Sequence, residues 1–173
     1  MNSLYERVES GFACMRPGVR YAAVFGLILM LSLAAYSDSF NADFHFDDNH
    51  QIVKNHYMRS VKGITKFFTN PRAASYTQGP VREYRPVLIT SYLLSYTLSG
   101  GKPWGFHLVN FGLHVVNAFL VYIVVSAVLV ETGRRGTVVP LAAALIFALH
   151  PAQTSAVTYI SARSALMATF FFL

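Results

Sequence analysis

Two long, almost uncharged apolar runs constrain this chain more than any other feature. Residues 19–36 contain one charged side chain, Arg20, and residues 106–130 contain no Asp, Glu, Lys or Arg. An α-helix rises about 1.5 Å per residue, so 18 residues cover about 27 Å, close to the roughly 30 Å hydrocarbon core of a bilayer. Both runs therefore predict transmembrane helices.

The composition agrees with a membrane protein. Hydrophobic residues make up 54% of the 173 residues and charged residues only 13%, which is too apolar for an ordinary soluble domain. The net charge is +6, but the basic residues are scattered, so the expected partners are membrane lipid phosphates and not nucleic acid. The single cysteine, Cys14, cannot form an internal disulfide.

Two shorter apolar runs follow the second span. Residues 137–150 predict a third helix, and residues 164–173 predict the start of a fourth. The alternative for the first run is a cleaved signal peptide, because it follows several arginines and ends in small residues. That run is longer than a typical signal core and further spans follow it, which favours a transmembrane helix.

Short basic segments predict the orientation. Arginines precede the first span, and Arg134 and Arg135 follow the second, so both segments are expected in the cytoplasm. The chain then divides into four parts, namely a cytoplasmic segment (1–18), a first transmembrane helix (19–36), an outer loop (37–105) and further transmembrane helices (106–173). The eight basic residues of the outer loop do not oppose this orientation, because the rule is weak for loops longer than about 60 residues.

The outer loop is predicted to contain two interfacial helices. Residues 61–68 space apolar positions in the helical manner, and residues 86–98 are apolar enough to lie in or on the membrane interface. The predicted fold class is therefore all-α. It is an integral membrane helical bundle with three spans, the start of a fourth, and interfacial helices in a long first outer loop.

Acidic, basic and histidine side chains from separate segments are expected at the outer face. A bilayer excludes charge from its core, so a reactive carboxylate must project from an interfacial loop or line a polar cavity. The candidates are Asp47, Asp48, Arg85, His107, His150 and Arg163.

The acidic pair also has simpler interpretations. Asp47 and Asp48 lie in an Asp-Asp-Asn run that suits a helix cap or a solvated turn. With His45 and His50 they offer ligands for a divalent ion, but this cluster is local and lacks a fixed ligand geometry. No metal site is predicted, and metal binding stays the alternative.

The second span carries four polar residues at steps of three and four: His107, Asn110, His114 and Asn117. These steps place them on one helical stripe, where hydrogen bonds to other helices are their more usual role. Arg85 and Arg163 could similarly lie among lipid headgroups.

Four motifs occur in a specific order along the chain. They are residues 46–48 (Phe-Asp-Asp), 84–87 (Tyr-Arg-Pro-Val), 105–110 (Gly-Phe-His-Leu-Val-Asn) and 148–154 (Ala-Leu-His-Pro-Ala-Gln-Thr). Together they resemble the amino-terminal part of the transmembrane and tetratricopeptide-repeat protein O-mannosyltransferases and their bacterial relatives, in the glycosyltransferase C superfamily. The resemblance covers nearly all of the chain from about Ala34 onward.

The resemblance implies a multi-pass membrane enzyme of the endoplasmic reticulum or the bacterial inner membrane. Such an enzyme transfers a sugar from a dolichyl-type polyprenyl phosphate to a protein or glycan acceptor on the outer or lumenal face, with inversion. An acid of the first outer loop lies at the catalytic centre in that superfamily, which points to Asp47 and Asp48, with Asp47 favoured as general base. The residues implied to line the cavity and meet the donor phosphate are Arg85, His107, His150 and Arg163.

The chain also departs from the family pattern. Ser155 stands where many relatives have glutamate, Ala162 where they have glycine, and Ala165 where an acid is common, which puts a catalytic role of this third outer segment in doubt. The family also has more spans than this sequence supplies, so the isolated chain is expected to lack part of the site. The alternative is a small non-catalytic membrane subunit or a remnant of a split enzyme.

Overall fold

A computed structural model of the chain describes residues 2–45, 48–61, 64–74 and 84–173. Within these ranges the chain forms α-helices and short 3₁₀ or π turns, and no strand. The helices are α1 (Asn2–Ala13), α2 (Pro17–Tyr36), α3 (Ile64–Thr69), α4 (Pro86–Ser99), α5 (Pro103–Glu131), α6 (Val138–Leu149), α7 (Thr154–Thr158) and α8 (Arg163–Phe172). The all-α prediction is confirmed.

Two described helices are long and apolar enough to cross a membrane. One is α2 continued by its following turn, 25 residues from Pro17 to Asn41, and the other is α5, with 29 residues. A third span is possible in this range only if α6 and the segment Pro151–Thr158 act together, and these are bent by 49°. The bend follows from Pro151, because a residue before proline disfavours the helical conformation and His150 is extended (ψ 132°). The described part of the chain thus has two spans, or three with the broken one, followed by the shorter apolar α8.

Proline and glycine set the turn between α4 and α5. Both helices have proline at their first position, where the missing N–H costs nothing. Gly100 and Gly101 have φ values of 63° and 80°, a left-handed conformation that ends α4 and that glycine adopts without strain. Across this turn Gly105 packs on α4 so closely that a Cβ on it would lie 2.4 Å from the Cβ of Ser99.

Aromatic contacts show that α2 and α5 run antiparallel. The ring centroids of Phe25 and Phe119 are 5.3 Å apart, and those of Tyr36 and His114 are 5.4 Å apart. Residue numbers thus rise along α2 as they fall along α5. The start of α2 and the end of α5 therefore lie at one end of the bundle, and the long loop (residues 37–105) connects at the other.

Two apolar clusters correspond to these two ends. The first joins α2, α5 and α6, and contains Val24, Ile28, Val115 and Ala144 among others. The second packs the long loop against α4, the start of α5 and the segment before α8, and contains Phe67, Tyr92, Phe106 and Ile160. The predicted loop helices are present as α3 and α4, and the predicted site residues lie around the second cluster.

Candidate functional site

Asp48 is buried and ties the long loop to the end of the chain. Its Oδ2 accepts a hydrogen bond from the His45 backbone N–H at 3.0 Å, and its Oδ1 accepts one from the Ser161 hydroxyl. Ser161 is 113 residues further along the sequence. The carboxylate therefore fixes the early part of the loop against the connection between α7 and α8. Asp47, the favoured base, lies outside the described residues.

Sequence reasoning missed Ser161. The substitutions around it, including Ala162, had put the whole segment in doubt as part of the site. Its hydroxyl nevertheless makes the one side-chain hydrogen bond to Asp48 among the described residues. The available signal was its position two residues before Arg163, in a short polar interruption between apolar helices.

Arg163 is fully buried, and its guanidinium bonds to two neighbouring helices. Nε donates to Asn110 Oδ1 at 2.7 Å and Nη2 to the Phe106 carbonyl at 2.9 Å, both on α5. Nη1 donates to the Ser91 carbonyl at 2.9 Å and to Ser95 Oγ at 3.0 Å, both on α4. A buried cation is stable when its donors are satisfied in this way. Arg163 thus joins α8 to α4 and α5. Its guanidinium nitrogens donate to acceptors within the protein.

Tyr92 on α4 lies between the charged groups of the site. Its ring is 4.7 Å from the Arg163 guanidinium carbon, and its hydroxyl donates to the Ile160 carbonyl at 3.3 Å. Burial raises the pKa of the Tyr92 hydroxyl, and the positive charge of Arg163 opposes this rise. The charges of Asp48 and Arg85 also act on this hydroxyl. Tyr92 therefore lies within electrostatic reach of three charged side chains, and its ring is in direct contact with one of them, Arg163.

His107 is buried near the same group. Its Nε2 lies 3.1 Å from the Ala42 carbonyl, and since a carbonyl only accepts, Nε2 carries the hydrogen. Nδ1 is buried without a hydrogen-bond partner in the described ranges. Asp48 and Arg163 are within electrostatic reach of the ring. The hydrogen bond of His107 therefore fixes the segment that follows the first span, at Ala42. The Nδ1 atom stays an unsatisfied acceptor.

The rest of the polar stripe on α5 forms interhelical hydrogen bonds. Asn110 donates to the Tyr159 carbonyl at 3.2 Å, and Asn117 donates to the Leu166 carbonyl at 2.9 Å. His114 Nε2 lies 2.9 Å from the carbonyl of Ala148, at the end of α6. These contacts match the structural interpretation of the stripe, with α5 as the helix that α6, α7 and α8 pack on.

Arg85 and His150 are both exposed and lie in different surroundings. Arg85 is at the rim of a cleft of about 580 Å³ between α4 and α8, whose walls include Val87, Leu88 and Phe171. His150 lies at the bend after α6, where its Nδ1 accepts from the Ala152 N–H at 3.2 Å. Within the described residues, no hydrogen bond or ion pair links His150 to the other predicted site residues. The structure thus groups Asp48, His107 and Arg163. Arg85 acts electrostatically on Tyr92, which contacts Arg163. His150 lies apart from this group.

A second cavity lies beside Asp48. It measures about 400 Å³ and is lined by Ala42, His45, Thr158 and Tyr159. His45 is the residue whose backbone N–H holds the Asp48 carboxylate. The walls of this cavity are mostly apolar, and its polar side chains are the His45 imidazole, the Thr158 hydroxyl and the Tyr159 phenol. In the described ranges, no group of three His, Cys, Asp or Glu side chains lies close enough to hold a metal ion.

Comparison with known proteins finds several protein O-mannosyl-transferases. The chain is 33% identical over 156 residues to the human protein O-mannosyl-transferase TMTC4, and 33% identical over 139 residues to Drosophila melanogaster Tmtc1. Human TMTC2 is 33% identical over 145 residues. The chain resembles the TMTC protein O-mannosyl-transferases. This confirms the resemblance noted from the ordered motifs.

The similarity to the TMTC proteins covers most of this chain and little of theirs. It includes 83%, 78% and 83% of the chain for these three relatives, but only 21%, 15% and 17% of the relatives themselves. The chain thus spans about a fifth of the length of the TMTC proteins that it matches. No protein-family model and no solved structure matches the chain.

Proposed function

We propose that this chain forms part of a glycosyltransferase C-type membrane enzyme that transfers mannose from a polyprenyl phosphate to a hydroxyl of a protein acceptor. The observation that carries the proposal is the bond between Asp48 and Ser161, which fixes the early part of the long loop at one end of the bundle, next to the cavity that His45 lines. The names of the relatives, all protein O-mannosyl-transferases, supply the reaction class.

The pair Asp47 and Asp48 supplies the general base. The acceptor hydroxyl must lose its proton as its oxygen bonds to the anomeric carbon, and a carboxylate within hydrogen-bond reach takes that proton. Asp48 is buried and already accepts two hydrogen bonds within the protein, which suits a residue that positions the chain around it. This division assigns the base role to Asp47 and the positioning role to Asp48.

The donor lies in the cleft beside Arg85. A polyprenyl phosphate leaves already ionised, so it needs cations and not a general acid, and a guanidinium meets phosphate oxygens as a planar fork. Arg85 stands at the rim of a cleft with mostly apolar walls, between α4 and α8. The isoprenoid chain runs along those walls, and the phosphate meets Arg85. Attack from the side opposite the phosphate inverts the anomeric centre.

The site faces the lumen of the endoplasmic reticulum or the bacterial periplasm, with the chain's N-terminus in the cytoplasm. Arg16, Arg20, Arg134 and Arg135 all belong to the bundle end opposite Asp48, as the preference of arginine for cytoplasmic segments requires. A protein acceptor then reaches Asp47 from the aqueous side, while the lipid-linked donor stays in the bilayer.

The test is Asp47→Asn in the purified full-length protein, assayed with a polyprenyl-phosphate mannose and an acceptor peptide. Loss of a general base lowers turnover by about 10² to 10⁴-fold, while donor binding is retained because the amide occupies the same space. Asp43→Asn is the matched control, since Asp43 is an exposed acid of the same loop, and its turnover is expected to be unchanged. Equal turnover of Asp47→Asn and the parent protein would reject the proposal.

A further inference from the structure

A third cavity lies at the bundle end opposite Asp48. It measures about 330 Å³ and opens between the start of α2, the end of α5 and the turn that leads into α6. Its lining combines two cations, two aromatic rings and two hydroxyl side chains: Arg20, Arg135, Tyr21, Tyr122, Ser126 and Thr137. None of these residues belongs to the site described above.

One buried guanidinium nitrogen of this cavity lacks an acceptor in the described ranges. The Nε of Arg20 is buried without a hydrogen-bond partner in the described ranges, and its guanidinium carbon lies 5.8 Å from the Tyr21 ring centroid. Arg135 is exposed at the mouth of the cavity and forms no ion pair with any residue that the structure describes. Arg163 shows the contrast, because each nitrogen of its buried guanidinium has an acceptor. A buried guanidinium N–H without an acceptor is costly. A ligand that supplies an acceptor to the Arg20 Nε would therefore be stabilised in this cavity.

Glu9, an acid beside the cavity, has its carboxylate engaged elsewhere. Glu9 approaches the cavity wall, where a Cβ on Gly136 would lie 3.4 Å from its Oε1. Its two carboxylate oxygens accept from the Thr137 and Val138 backbone N–H groups at 2.7 and 3.0 Å. Glu9 is thus engaged with the first N–H groups of α6, as a carboxylate is at a helix N-terminus. Two guanidinium groups remain for an anion that enters the cavity.

We propose that this cavity binds a phosphate group, with the phosphodiester of an anionic membrane lipid as its source. Both spanning helices reach this end of the bundle, so the cavity lies at the depth of lipid headgroups. Arg20 and Arg135 donate to the phosphate oxygens, and Tyr21 and Tyr122 lie beside the glycerol and the first acyl carbons. A soluble phosphate ester would present the same oxygens without the acyl chains.

Lipid binding to the full-length protein in detergent tests this site. The probes are phosphatidylglycerol, phosphatidylcholine and inorganic phosphate, and the readouts are retained lipid in native mass spectrometry and the shift of the unfolding midpoint with probe concentration. The double variant Arg20→Gln/Arg135→Gln is expected to bind phosphatidylglycerol about tenfold more weakly. Arg16→Gln/Arg134→Gln changes the net charge equally at neighbouring positions outside the cavity lining, and its affinity is expected to stay within about twofold.

The outcomes separate the sources and the alternatives. If phosphatidylglycerol does not bind and inorganic phosphate binds in a way that depends on Arg20 and Arg135, the phosphate chemistry is supported and the source is a soluble phosphate. Equal binding of phosphatidylglycerol and phosphatidylcholine, or an equal loss in both double variants, would overturn the proposal. Arg20→Lys keeps the charge and loses the planar fork, so it tests the site if the double variant does not fold. Its affinity is expected to fall about threefold, and an unchanged affinity would also overturn the proposal.

Discussion

Replacing Arg163 with lysine separates a structural role of this residue from a role in binding the donor. The arginine makes five hydrogen bonds, to Asn110, Phe106, Ser91 and Ser95, on two helices. Lysine keeps the positive charge, but its three donors radiate from one nitrogen and not from a wide fork. The ammonium can reach the acceptors of α4 or those of α5, but not both sets.

The expected cost follows from the acceptors left without donors. If the ammonium bonds to α4, Asn110 Oδ1 and the Phe106 carbonyl lose their charged donors inside the protein. Each buried acceptor left unsatisfied costs about 1–3 kcal/mol, so Arg163→Lys is expected to lower stability by about 2–5 kcal/mol. Turnover should fall as well, because Ser161 holds Asp48 from a position only two residues away.

Thermal unfolding of the full-length protein in detergent measures the loss of stability. The KM for the polyprenyl-phosphate donor measures whether Arg163 contributes to donor binding. Arg85→Lys is the matched control, because Arg85 is exposed at the rim of the α4–α8 cleft. Arg163→Lys should lower the unfolding temperature and leave the donor KM unchanged, whereas Arg85→Lys should raise the donor KM alone. An unchanged unfolding temperature with a raised donor KM in Arg163→Lys would refute the structural assignment.

Two further substitutions test the packing at the two ends of the bundle. Glu9→Gln keeps one carbonyl acceptor for the α6 backbone and loses the charge, so it should weaken the docking of α1 by about 0.5–2 kcal/mol. Limited proteolysis should then cut α1 faster than in the parent protein. In the control variant Glu6→Gln, at an exposed position, α1 should be cut at the parent rate. Gly105→Ala brings a Cβ to 2.4 Å from the Ser99 Cβ and should lower the unfolding free energy by about 1–3 kcal/mol. Gly112→Ala meets nothing within 4 Å and should not destabilise the protein, so equal effects of the two alanine variants would contradict the packing described here.

Local sequence patterns predicted most of the helical architecture. The two spans, the loop helices and α8 follow from apolar runs and their periodicity, because each helix satisfies its own backbone whatever it packs on. The break after α6 follows from Pro151 and lies within one residue of the predicted end of the third helix, residue 150. The interhelical role of Asn110 and His114 was the more usual interpretation of their spacing, and the structure agrees with it.

The roles of the individual polar residues depended on contacts between distant segments. Sequence grouped Arg85, His150 and Arg163 together because all three were expected at one face of the membrane. The structure leaves Arg85 and His150 exposed and buries Arg163 completely. Burial depends on which helices surround a side chain, and no local pattern records that.

The sequence by itself determined that the chain is an all-α membrane protein and which ordered motifs link it to the O-mannosyl-transferases. Apolar length and local motif order are properties of contiguous residues, so they need no tertiary information. Only the tertiary structure decided that Ser161 holds Asp48 and that Arg163 joins α8 to α4 and α5. It also showed that Arg20 and Arg135 share a cavity. A hydrogen bond between residues 113 positions apart, such as Asp48 and Ser161, depends on how the helices pack. The bilayer places these helices side by side without specifying their partners.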